Sequence, residues 1–377
     1  MIGLVLSGGG ARGAYQAGVV SAISEIAQSV RVQRPFQIFS GVSAGAINST
    51  FLAAGSDNFH QTTKKLTDMW STLSSEKVFY TDAGSLGKIG LKWMGDLSLG
   101  GLMGTSPGKA LLDTAPLKDL LIDNLNFSQI QENIDKGFLR AVAVSAMEYQ
   151  TSNTITFVQG EKDVPSWTRS RRQSELAQIK AEHVMASSAI PLLFPPIQIQ
   201  NRYFGDGCVR NMAPCSPAIH LGADKLIVIG VRRLSEVAIA QSLKNSNSNV
   251  PPSAAKVFNV LLNSVLLDGV ELDIERMNRI NEFVSHVPKK SLDQLSFKPV
   301  DLVWIHPSQD IGAIAYQKAS SLPRLVRYLL KGLGPLEDAA EIISYLSFDP
   351  EFCSILIDMG YEDGMASKEE IIRILQS

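Results

Sequence analysis

Ile2-Gly3-Leu4-Val5-Leu6-Ser7 opens the chain with a near-continuous apolar run. A run of this kind predicts a parallel strand buried on both faces. A glycine-rich turn follows, Gly8-Gly9-Gly10-Ala11-Arg12-Gly13, and residues 14–23 then carry helical spacing. A second strand-turn-helix unit begins with Phe36-Gln37-Ile38-Phe39 and continues as a helix over residues 46–54. Further strands are expected at 140–146, 154–158, 225–231 and 300–305. Strand and helix alternate to about residue 235, which predicts a parallel sheet with helices on both faces. Residues 244–252 are polar and end in two prolines, marking an exposed loop. Residues 254–279 read as one or more helices, with Asp268, Glu271, Asp273 and Glu275 on a solvated face rather than around a metal. The organisation expected is a catalytic core over 1–235, its continuation with a late strand over 236–306, and a helical region over 307–377. In the last of these, Ser367-Lys368-Glu369-Glu370 reads as a capping box.

With 377 residues, 45% hydrophobic and 19% charged, the chain is expected to form a large globular core. A net charge of -2 leaves no electrostatic footprint for nucleic acid. Cys208, Cys215 and Cys353 form no C-x-x-C pair, which suits a reducing compartment. The first apolar run lacks a basic leader and is too short for a signal peptide, and no stretch approaches a membrane span. The expected location is cytoplasmic with peripheral membrane contact; export without a cleavable signal is equally compatible. Two segments suggest that contact. Residues 82–108 interleave glycines with apolar side chains as a lid would, and Trp93 with Lys88 and Lys92 would rest at an interface; a buried connection or an oligomer contact is the alternative. Arg169, Arg171 and Arg172 would meet phosphate head groups or simply form a solvated helix start.

The chemistry lies in the two turns. Gly41-Val42-Ser43-Ala44-Gly45 is a G-x-S-x-G pentapeptide between strand and helix, placing Ser43 at a helix N-terminus where negative charge is stabilised. Gly8-x-Gly10-x-x-Gly13 matches the dinucleotide fingerprint, yet the second strand ends in Phe39-Ser40-Gly41 with no acid for a ribose, and no Gly-Lys-Ser follows for a phosphate loop. An oxyanion hole serving Ser43 is the remaining functional reading. No H-E-x-x-H or other metal pattern occurs among the five histidines, and no cofactor is called for. A Ser-Asp-His triad would draw on His306, at the end of the strand at 300–305, although a nucleophile after the second strand is early for an α/β-hydrolase.

Together with Ala186-Ser187-Ser188-Ala189-Ile190-Pro191-Leu192-Leu193-Phe194-Pro195-Pro196 and Tyr203-Phe204-Gly205-Asp206-Gly207, these turns form four blocks that resemble the patatin-like phospholipases and stand in that family's order. The resemblance implies a three-layer α/β/α fold with a mainly parallel central sheet and a helical C-terminal region. It also implies a nucleophile at Ser43, a Ser-Asp dyad completed by Asp206, and an oxyanion loop of Gly8, Gly9 and Gly10 with Arg12, which would brace the turn or meet an anionic substrate group. One position departs from the pattern: the family has Gly or Ala after Asp-Gly, and this chain has Cys208. The implied activity is hydrolysis of phospholipid or lysophospholipid esters through an acyl-serine. Acyl transfer through the same intermediate, or lipid binding without turnover, are the alternatives.

Overall fold

The computed structural model describes residues 1–80, 110–232, 251–266, 269–288, 291 and 298–377. Ten strands form one mixed sheet. They are β1 (Ile2–Leu6), β2 (Ile38–Val42), β3 (Ala141–Glu148), β4 (Thr154–Gly160), β5 (Thr168–Arg169), β6 (Arg172–Leu176), β7 (Ile197–Ile199), β8 (Arg202–Asp206), β9 (Lys225–Ile229) and β10 (Asp301–Ile305). Its centre is the parallel run β10-β9-β1-β2-β3, bordered by β4, β6 and β5. The β7–β8 hairpin joins β3 in antiparallel register.

Alternation along the central strands divides the core into two layers. Leu4, Leu6, Phe39, Val142 and Ile227 pack on one face, whereas Val5, Ile38, Ala143, Leu226 and Val228 pack on the other. The first face is covered by α1 (Gly13–Ser29), α2 (Ala44–Ala54) and α3 (Phe59–Ser71), and the helix Pro350–Ala366 lies across α1. The second face carries the helices Ser216–His220 and Gly269–Ser285. The result is a three-layer α/β/α arrangement, as the alternation of elements and the family resemblance imply.

Three local readings are corrected. Asp273 is not on a solvated face: it is buried, and its Oδ2 accepts the Cys215 N–H at 3.0 Å just ahead of the helix Ser216–His220. Arg169 and Arg172 do not start a helix; they pair across the β5–β6 hairpin, with Arg171 at φ 57 in its turn. Ser367 makes no capping box, because its hydroxyl donates back to the Asp363 carbonyl of the preceding helix, which runs almost directly into Lys368–Gln376. The expected lid at 82–108, Asp268 and most of the loop at 244–252 lie outside the described residues. Among the described residues no helix is long and apolar enough to cross a membrane.

Candidate active site

The sheet register brings Ser43 and Asp206 together. β2 runs along one edge of β3 until Val42 stands opposite Ser145; at the next step along that edge, Asp206 of β8 stands opposite Ala146. Two strands arriving from opposite directions therefore meet end to end, and the residues at their ends face each other. Ser43 Oγ donates to Asp206 Oδ2 at 2.6 Å, and both residues are buried. Ser43 sits at φ 56, ψ −127, a strained backbone for a residue with a side chain and the mark of a sharp strand-to-helix turn. Gly45 makes that turn feasible, since a methyl there would collide with the Leu6 carbonyl of the neighbouring strand. Ser187 fixes the Ser43 backbone: its hydroxyl accepts the Ser43 N–H at 2.9 Å and donates to the Ser145 carbonyl at 2.6 Å.

Burial pushes the Asp206 carboxyl up from 3.8 to about 6, while hydrogen bonds from the Ser43 hydroxyl and from the N–H and thiol of Cys208 act in the other direction. The Cys208 N–H reaches Oδ1 at 2.8 Å. The Cys208 sulfur lies against Gly8 and accepts its N–H, and burial keeps the thiol protonated by pushing it well above its ordinary range. The amides of Gly9 and Gly10 have no protein acceptor among the described residues. They sit in the turn just after β1, next to the N-terminus of α2, where helix N–H groups also point outward.

Arg12 braces this turn and does not reach solvent, being 1% exposed. Its guanidinium donates to the carboxylate of Glu341, to Ser344 Oγ at 2.8 Å from Nε, and to the Val231 carbonyl at 3.3 Å. It also lies 5.3 Å from the centre of the Tyr345 ring. Gly10, at φ 57, approaches the Tyr345 carbonyl so closely that no side chain would fit. A polar chain secures the other side of the turn: Gln16 donates to the Ser7 carbonyl at 2.7 Å, Asn48 to Gln16 at 2.9 Å, and Trp70 to Asn48 at 2.7 Å.

A small apolar cavity is lined by Gly10, Ser43, Ile47, Trp70, Leu117, Phe194 and Phe348. Residues 4–219, more than half of the sequence, match the family model described as patatin-like phospholipase. The chain belongs to the patatin-like phospholipase family. Solved structures with some likeness include VipD from Legionella pneumophila, with 14% identity over 97% of this chain and 66% of that one, TM-score 0.37. The type III effector ExoU, of Pseudomonas aeruginosa, shows 13% identity over 100% of this chain and 53% of that one, TM-score 0.38. Human GIVD cytosolic phospholipase A2 shows 10% identity over 100% and 59%, TM-score 0.38. The chain thus spans between 53% and 66% of the length of these proteins. Comparison with curated proteins finds no match.

Within this family member, the four sequence blocks meet at one place: the glycine turn, the Ser43 elbow, Ser187 and Asp206. His306 does not join them. Its strand, β10, is separated from β2 by β9 and β1, roughly 14 Å at ordinary strand spacing, and its ring packs edge-on against Trp304. Sequence reasoning missed Ser187 as the holder of the nucleophile's N–H, although the residue lies in one of the four blocks. It also missed Glu341, Ser344, Tyr345 and Phe348, which carry no local signal and arrive through the fold.

Proposed function

We propose that this protein is a lipid acyl hydrolase acting on carboxylic esters of phospholipids or lysophospholipids. The observation that carries the reading is the 2.6 Å Ser43–Asp206 hydrogen bond, with Ser43 in the lining of an apolar cavity. The acyl chain lies in the cavity, where each buried methylene contributes about 0.8 kcal/mol. Ser43 Oγ attacks the ester carbonyl carbon while its proton passes to Asp206, whose raised pKa makes it a better base than an exposed carboxylate. The Gly8–Gly10 turn receives the oxyanion, chiefly through the Gly9 and Gly10 amides, with the N-terminus of α2 adding its dipole. Collapse of the tetrahedral intermediate breaks the ester bond, and Asp206 returns the proton to the departing alkoxide. Water then attacks the acyl-serine with Asp206 as base, releasing the fatty acid and restoring the serine hydroxyl.

The test is fatty acid release from a panel of phospholipids and lysophospholipids by the parent, Ser43→Ala, Asp206→Asn and His306→Ala. The first two variants are expected to lose activity by a factor of about 10³ or more, with His306→Ala close to the parent. Equal loss in folded His306→Ala would replace the dyad by a triad. A parent that releases no fatty acid, with or without cell extract as a source of activator, would sink the hydrolase reading.

A further inference from the structure

Ser188 is the middle residue of a tripeptide that braces both halves of the Ser43–Asp206 pair. On one side Ser187 Oγ accepts the Ser43 N–H; on the other the Ala189 carbonyl accepts the Asp206 N–H at 2.7 Å. Ser188 lines the same cavity as Ser43, is 6% exposed, and has no hydrogen-bond partner for its buried hydroxyl among the described residues. A serine at the end of a helix commonly donates back to a carbonyl of the previous turn. Ser347 does so to the Ile343 carbonyl and Ser367 to the Asp363 carbonyl. Ser188 follows the helix Ala181–Ser187 and its N–H bonds to the Val184 and Met185 carbonyls, yet its hydroxyl makes no such bond.

An unpaired buried hydroxyl is unfavourable, and alanine would fill the same place without that cost. The cavity walls beyond it, at Ile47, Leu73, Leu117 and Phe194, are apolar. A ligand suited to this wall carries hydrocarbon along most of its length and a polar atom where Ser43 and Ser188 stand. An acyl ester bound for attack by Ser43 has that shape. We propose that the Ser188 hydroxyl donates a hydrogen bond to an ester oxygen of the bound acyl lipid. It thereby acts as a side-chain complement to the Gly9 and Gly10 amides, an inference that rests on the hydrolase reading above.

The full-length parent, Ser188→Ala and Ser43→Ala would be compared on p-nitrophenyl esters of short and long acyl chains. Their rates of covalent labelling by a long-chain alkyl fluorophosphonate, which reads serine reactivity directly, and their thermal midpoints would be measured alongside. Ser188→Ala is expected to lower kcat/KM and the labelling rate by about 10²- to 10³-fold, the range for loss of one oxyanion-hole donor. Its thermal midpoint should be equal to or above that of the parent, because an orphaned hydroxyl is removed. A structural serine would behave in the opposite way. Parent-like rates in Ser188→Ala, with Ser43→Ala dead, would overturn this proposal alone, as would a rate loss that appears only with a lowered midpoint. A parent inert to every ester and to the phosphonate would overturn the hydrolase reading and this inference with it.

Discussion

Asp206 carries a conflict that can be measured. Burial favours its neutral form, and a proton acceptor must be ionised. Because its pKa is raised from 3.8 to about 6 in the folded protein, the folded state holds this proton more tightly than the unfolded chain. The associated stability is fully present below the ordinary carboxylate range and is lost as pH rises through about 6. The loss amounts to about 3 kcal/mol by neutral pH. Asp206→Asn, which stays neutral, should therefore unfold at a higher temperature than the parent at about pH 8, and the advantage should vanish at about pH 4. The same group sets the expected rate profile, with fatty acid release rising with pH around a midpoint near 6. Thermal scans of both proteins across this range check the first expectation; an Asp206→Asn variant less stable at every pH would show that the carboxylate is held by more than it loses.

At the level of elements, the helix Ala340–Leu346 is the clamp on the glycine turn, through Glu341 and Ser344 on Arg12 and through the Tyr345 carbonyl on Gly10. Removing one partner of a buried ion pair leaves the other uncompensated, at a cost of about 3 kcal/mol. Glu341→Gln is accordingly expected to lower urea stability by that order and to reduce kcat with little change in KM. On the proposed mechanism, the glycine turn would loosen while the cavity proposed for the acyl chain stays intact. An unchanged kcat would detach this helix from catalysis. None of this was legible in the sequence, because Arg12 and Glu341 are separated by 329 positions and meet only after the sheet has formed. The legible parts were those whose signal is local. β1, β2, β3, β4, β9 and β10 are apolar runs, and Ser43 and Asp206 lie in turns whose glycines are forced by close backbone approach. The β5–β6 hairpin was hidden for the opposite reason: its side chains are exposed or half-buried and polar, so no alternation marks it. Asp273 misled because its polar spacing matched a solvated face while the helix Gly269–Ser285 buries that side against Cys215.

At the scale of the whole molecule, the family match ends at residue 219, yet the layers close only with elements beyond that point. β9 pairs with the edge of β1 opposite β2, and the helix Pro350–Ala366 covers α1. That crossing is a close backbone approach, with Gly18 against the Ile357 carbonyl and Gly360 against the Tyr15 carbonyl. α1 in turn begins at Gly13, directly after the glycine turn, so a shift at the crossing is transmitted to the site along a rigid helix buried at 13 of its 17 positions. The described core is therefore expected to behave as one packed body rather than as a half that carries the motifs with a detachable appendage. Gly360→Val is the direct test. Its methyl groups would meet the Tyr15 carbonyl with no flexible side chain to give way, and overpacking of this kind costs about 1–3 kcal/mol. If the core is a single cooperative unit, the variant should lower the midpoint for loss of tertiary signal and the midpoint for loss of fatty acid release by the same amount, in one transition. An early C-terminal transition that left fatty acid release at its parent midpoint would show instead that the site needs only the half that carries its motifs.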